Sequence, residues 1–318
     1  MRENVTISRH HRGDHTTRDS GARLEVDGIA RPVTMRAMKE RHSSGTLLSR
    51  RFRLVLLHLA EEARRDLDVL AARPDRCIHS LRTRMKNLRA LLLLVKPSTP
   101  KPARKTVAAL AGALKDAFSD QRDADVIAAL RIKLTARRDT TQRGEMTQQV
   151  AERNKVAKAE TSRLIRMIAK LDLKGLAWPE VIDGYLRSYR SGRKAMKACE
   201  RKPTIEAFHK WRRPVKDLFY QSQVLQPLDG MKARRRAAER LGDRLGKLND
   251  LHLLRTEAKK SRPSETLKHI AKKKRALKAV IFKVAAKLFS ERPREIRTAL
   301  ERCVKFQPTI TAQAVRQT

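Results

Sequence analysis

The segment Ile78-His79-Ser80-Leu81-Arg82-Thr83-Arg84-Met85-Lys86-Asn87-Leu88-Arg89 returns 130 positions later as Phe208-His209-Lys210-Trp211-Arg212-Arg213-Pro214-Val215-Lys216-Asp217-Leu218-Phe219. A chain that carries this pattern twice points to a duplicated helical fold. Ile78, Leu81, Met85, Leu88 and Val95 recur at helical spacing, and Phe208, Trp211, Val215, Leu218 and Leu225 occupy the same register, so each copy predicts a helix with one buried seam. His79, Arg82, Lys86 and Arg89 repeat that period one residue later, which at about 100° per residue lays a cationic stripe along the flank of the apolar one. His209, Arg212 and Lys216 do the same in the second copy.

The surrounding sequence repeats in the same order. Asp123, in Arg122-Asp123-Ala124-Asp125-Val126, lies 44 residues after His79, and Asp250, in Asn249-Asp250-Leu251-His252-Leu253, lies 41 after His209. Each half reads as a helix, the His/Arg helix, a helix, a polar junction with Asp, and a further helix, which makes two similar four-helix units related by duplication. Leu48, Phe52, Leu56, Leu59, Ala63 and Leu67 line the first helix, expected to end near Arg73-Pro74, with Asp75 as N-cap of the motif helix. Residues 96–102, with three prolines, form a loop. Further helices are expected at about 103–118, through Val126, Ile127, Leu130 and Leu134, at 149–171, through Val181, Tyr185 and Met196, and at 231–247, 249–260, 265–290 and 293–304. Gly184 and Gly192 count against the helix that holds them. No alternating run is long enough for a sheet, so the fold class is all-α. The expected organisation is a disordered basic arm at 1–45, a first four-helix unit at 46–174, a second at 175–305 and a tail at 306–318.

Charge narrows the partner. Lys and Arg number 74 against 34 Asp and Glu, a net charge of +40 spread along nearly the whole chain. Self-repulsion of this size destabilises a compact state unless an anion relieves it, which points to a polyanion: nucleic acid, an anionic membrane surface or inorganic polyphosphate. Cys77, Cys199 and Cys303 are odd in number and lack CxxC spacing, so neither a disulfide framework nor a zinc site is expected. The chain shows no apolar run of about 18 residues and no apolar stretch behind its N-terminal charges, so neither a membrane span nor a secretory signal is expected and a cytoplasmic location is.

The paired motifs resemble the CHAD family, the conserved histidine α-helical domain, whose pattern is a His followed at +3, +7 and +10 by cations and later by an Arg-Asp or Asn-Asp junction. His79, Arg82, Lys86 and Arg89 match every position; His209, Arg212 and Lys216 match, but Phe219 stands at +10 and Pro214 lies inside the helix, where it predicts a kink. The resemblance covers about 47–305. It implies antiparallel four-helix bundles about a pseudo-twofold axis, with a basic groove or pore that binds long-chain polyphosphate, and a place on polyphosphate granules in the cytoplasm. The polyphosphate-binding residues would be His79, Arg82, Lys86, Arg89, His209, Arg212 and Lys216. Some members carry a triphosphate-tunnel catalytic domain; no strand pattern for one is present, so a stand-alone binding protein without a cofactor or enzymatic activity is expected.

Each residue has a plainer reading beside this one. The two histidines could serve packing alone, and a charge stripe is usually a solvated helix face. From Ile78 to Val95, however, no acid is interspersed for i,i+4 support, and uncompensated Arg and Lys suit a linear row of phosphates. An imidazole donates to a phosphate oxygen when neutral and joins the cations when protonated. Asp123 and Asp250 read as structural, each an N-cap able to pair with a motif Arg, rather than as metal ligands. The runs Arg234-Arg235-Arg236 and Lys272-Lys273-Lys274-Arg275 read as exposed faces that strengthen the positive field. Nucleic acid is the alternative partner, as a nonspecific competitor, but 4% aromatic residues leave few stacking platforms and no helix-turn-helix or zinc-finger signature occurs. A phosphohydrolase using either histidine lacks a P-loop, a metal-spaced cluster or a Ser/His/Asp order.

Overall fold

The computed structural model describes residues 33–119, 148–259 and 264–306, and among these every regular element is helical. In chain order they are α1 Val33–Asp68, α2 Pro74–Leu94, α3 Lys101–Asp116, α4 Gln148–Ala169, α5 Trp178–Arg201, α6 Ile205–Val224, α7 Met231–Ala258, α8 Ser264–Leu288 and α9 Pro293–Phe306. A single 3-10 turn, Lys96–Ser98, links α2 to α3. Its corner is fastened by Thr99 Oγ1, which donates to Val95 O at 2.6 Å.

Both apolar seams are buried as their spacing requires. Ile78, Leu81, Met85, Leu88 and Val95 are at most 1% exposed, and Phe208, Trp211, Val215, Leu218 and Leu225 at most 2%. Helix α1 packs on α2 and α4, and α3 packs on α2 and α4, closing a ring of four. Helix α6 packs between α5 and α7, α8 lies on α7, and α9 lies on α5. The two groups meet where α2 packs on α6 and α5, and the buried side chains run through both as one core. Phe208 and Trp211 of α6 close on Phe282 of α8, the Trp211 and Phe282 rings stacking 5.9 Å apart.

The seam between the groups depends on one glycine and one amide. A Cβ on Gly184 of α5 would stand 2.2 Å from Leu94 O, so only glycine lets α5 approach the end of α2 this closely. Beside it the fully buried Gln221 of α6 donates to Ala90 O of α2 at 2.9 Å and to Ser188 Oγ of α5 at 3.0 Å. The two glycines that count against a helix by propensity are therefore packing sites, since Gly192 also abuts the Phe289 ring.

Several expected boundaries move. Helix α1 begins at Val33, inside the arm expected to lack a fold, because Met35 to Arg41 are nearly all strong helix formers and neither Gly nor Pro interrupts Val33 to Ser44. The cap of α2 is Arg73 rather than Asp75: Pro74 opens the helix with its preset φ, and Asp75 sits in the first turn facing the helix dipole. The break expected at Asn249-Asp250 is absent, and α7 runs through it. Asn and Asp cost a helix interior only a few tenths of a kcal/mol, and buried Leu241, Leu245 and Leu248 carry the apolar seam up to this point. Asp250, exposed within α7, is thus not an N-cap. Helix α6 likewise continues through Pro214. Asp123, the helix expected through Val126 and Leu134, and most of the loop at 139–149 lie outside the described residues.

Candidate functional site

On α2, His79 is exposed near the helix start, and Arg82, Lys86 and Arg89 follow along the flank, half-buried where the helix meets its neighbours. Arg82 is fixed by α3: its Nη1 donates to Lys115 O at 2.7 Å, satisfying a carbonyl near that helix's C-terminus. On α6, His209 is exposed and Arg212 and Lys216 are half-buried, in the same register. The first row and the second are thus carried on two helices that pack against each other.

The second row is built with parts the motif does not contain. Gly242 and Gly246, one turn apart on α7, form a trough: the Lys216 chain lies 3.0 Å, and the Arg212 guanidinium 3.3 Å, from where their Cβ atoms would be. Lys216 Nζ reaches Asp243 Oδ1 at 3.3 Å and stands 5.2 Å above the Phe219 ring. The same ring takes Arg235 of α7, whose Cζ is 5.9 Å from its centroid. Phe219, which reads in the sequence as a missing cation, therefore gathers two cations around its face. Gly-x-x-x-Gly within a helix was the available signal for the trough; nothing in the sequence announced the ring.

Asp217 joins the two rows. It is half-buried on α6, and burial pushes its carboxyl up to about 6, against the opposing pull of Arg213 and of Arg89 from α2. The last cation of the first row thus acts on the second motif helix. The folded-state value lies above the ordinary 3.8, so the folded protein holds this proton more tightly than the unfolded chain, and stability falls as pH rises from about 4 through 6. Asn87 occupies the matching place in the first copy. Asp217→Asn is expected to leave stability near pH 4 unchanged and to raise it at pH 7.5 by about 2–3 kcal/mol, at ~1.4 kcal/mol per pKa unit, as urea unfolding at the two pH values would measure. Equal effects at both values would show that the carboxyl is not held protonated.

Asp250 makes no ion pair with either row among the described residues. No group of three His, Cys, Asp or Glu side chains among them could hold a metal ion, and none of their helices is long and apolar enough to cross a membrane. The family model of the CHAD domain matches residues 53–259, from α1 to the end of α7. No curated protein and no solved structure matches the chain.

Proposed function

Given that the chain belongs to the CHAD domain family, we propose that it binds inorganic polyphosphate along the two cationic rows, without chemical turnover. The observation that carries this is the placement of His79, Arg82, Lys86 and Arg89 on α2 and of His209, Arg212 and Lys216 on α6, two helices in mutual contact. Half-buried cations with exposed histidines at the helix starts suit a flexible chain bearing one charge per phosphate. Each bound phosphate releases counterions, so affinity falls steeply with salt. Arg supplies forked donors, Lys a point charge, and the histidines N–H donors to phosphate oxygens.

On this reading the two groups of helices are duplicated four-helix units spanning 46–174 and 175–305, and α2 and α6 are equivalent helices about a local twofold. Asp123 and Asp250 belong to the scaffold; Asp250 does so from within α7. The protein works in the cytoplasm, on polyphosphate granules, with no cofactor. Nucleic acid competes only through charge. Several side chains that would stack on unpaired bases are in the core instead: Trp211 and Tyr189 are fully buried, and Phe208 and Tyr185 at most 2% exposed.

Fluorescence anisotropy of labelled long-chain polyphosphate tests this. Unlabelled polyphosphate is expected to displace the probe at least about tenfold more effectively than single- or double-stranded DNA at equal phosphate concentration, a difference of ~1.4 kcal/mol. Equal displacement by DNA contradicts the reading, and so does consumption of polyphosphate in the presence of Mg²⁺ that His79→Ala abolishes.

A further inference from the structure

Lys272, Lys273 and Arg275 are exposed on α8, as a solvated run should be, but Lys274 is half-buried and turned toward α7. Its Nζ lies 3.5 Å from His252 Nδ1. Within the repeat, His252 stands where the first copy has Asp125, so a base occupies the register of an acid. Arg255 from α7, Lys259 just past its end and Lys278 from α8 add positive charge around the pair, while α6 contributes Glu206 and, acting on Glu206, Lys210. Lys278 is itself anchored, donating to Pro203 O at 2.9 Å with its Nζ 5.3 Å from the Phe208 ring centroid. Glu206 is engaged with the Thr204 hydroxyl at the start of α6.

Two cations this close repel, and the contact persists only if the Lys274 ammonium donates to a neutral imidazole. Burial, then the charge of Lys274, hold the His252 imidazole below its ordinary range, with Glu206 opposing and Arg255 and Lys259 adding to the depression. Burial, then Arg255 and Lys278, depress the Lys274 ammonium in the same direction. A bound phosphoryl group would reverse this balance, allowing both groups to be charged and to donate to its oxygens.

We propose that His252 and Lys274 form a phosphate-binding site in the seam between α7 and α8, separate from the rows on α2 and α6, which takes up a proton at His252 when a phosphate anion binds. The ligand is free phosphate or a phosphoryl unit of a polyphosphate chain. The site stands on its own geometry, whichever polyanion occupies the rows.

Imidazole resonances of the full-length protein, titrated at fixed ionic strength with orthophosphate and with tripolyphosphate, test it. The His252 midpoint is expected to move to higher pH while the exposed His58 and His269 move much less. A response to orthophosphate identifies free phosphate as sufficient; a response to tripolyphosphate alone identifies a chain. Lys274→Gln is expected to weaken tripolyphosphate binding about tenfold, and His252→Gln to flatten the pH dependence of that binding across the range in which the His252 imidazole titrates. A His252 shift no larger than that of His269, or unchanged affinity in Lys274→Gln, overturns the proposal. Long-chain polyphosphate affinity measured on the same samples separates the two readings, since its persistence without a His252 response removes only this site.

Discussion

Gly184→Ala is expected to destabilise the protein by about 3 kcal/mol, at the upper end of what overpacking a tight core costs. The added Cβ would fall 2.2 Å from Leu94 O and 2.6 Å from Leu94 Cα, both backbone atoms that no rotamer change can move. Relief requires α5 to withdraw from the end of α2, and that withdrawal pulls on the neighbouring bonds from Gln221 to Ala90 and Ser188. Left unpaired, a buried amide costs a further ~1–3 kcal/mol. Two other glycines calibrate the effect. At Gly192 the close atom belongs to the Phe289 ring, which can tilt, so Gly192→Ala should cost less. At Gly112 in α3 a Cβ meets nothing within 4 Å, and Gly112→Ala should stabilise by up to ~1 kcal/mol through helix propensity and chain entropy. Urea unfolding of the three variants checks the order; a Gly184→Ala protein as stable as the parent would mean that α2 and α5 are not so closely packed.

How much of this could be read from the sequence divides by the kind of interaction. The apolar stripes of α2 and α6 were legible to the residue, because burial on a helix imposes a period that leucine and its relatives reveal directly. The cationic stripes were legible for the same geometric reason. Helix ends were less so: Asn249-Asp250 resembles a junction, yet helical propensity differences of a few tenths of a kcal/mol cannot stop a helix whose seam is buried. Gly184, Gly242 and Gly246 look like weaknesses in isolation and become intelligible only once the atoms they admit, from Leu94, Lys216 and Arg212, are in place. The surroundings of Phe219 and Lys274 are not legible within their own helices. Their roles come from Lys216 and Arg235 in one case and His252 in the other, and the contacts with Arg235 and His252 reach a different helix that no periodicity within one helix can report.

Charge reversal distinguishes binding at a site on α2 from attraction to diffuse charge. Arg82→Glu with Lys86→Glu and Lys272→Glu with Lys273→Glu each lower the net charge of +40 by the same four units. Diffuse attraction depends on that total, and beyond the Debye length of roughly 8–10 Å it is largely screened in physiological salt. Directed contacts depend on position: a hydrogen bond to a charged group is worth ~1.5–3 kcal/mol, so losing two costs on the order of hundredfold or more in affinity. Arg82 also holds Lys115 O, so thermal melting of the first variant is needed to show that it is folded at the assay temperature. The decisive measurement is the dissociation constant of long-chain polyphosphate for the parent and both variants at one physiological ionic strength. A loss on the order of hundredfold for Arg82→Glu with Lys86→Glu, against less than about tenfold for Lys272→Glu with Lys273→Glu, is the result expected for binding along α2. Equal losses in the two folded variants would contradict it.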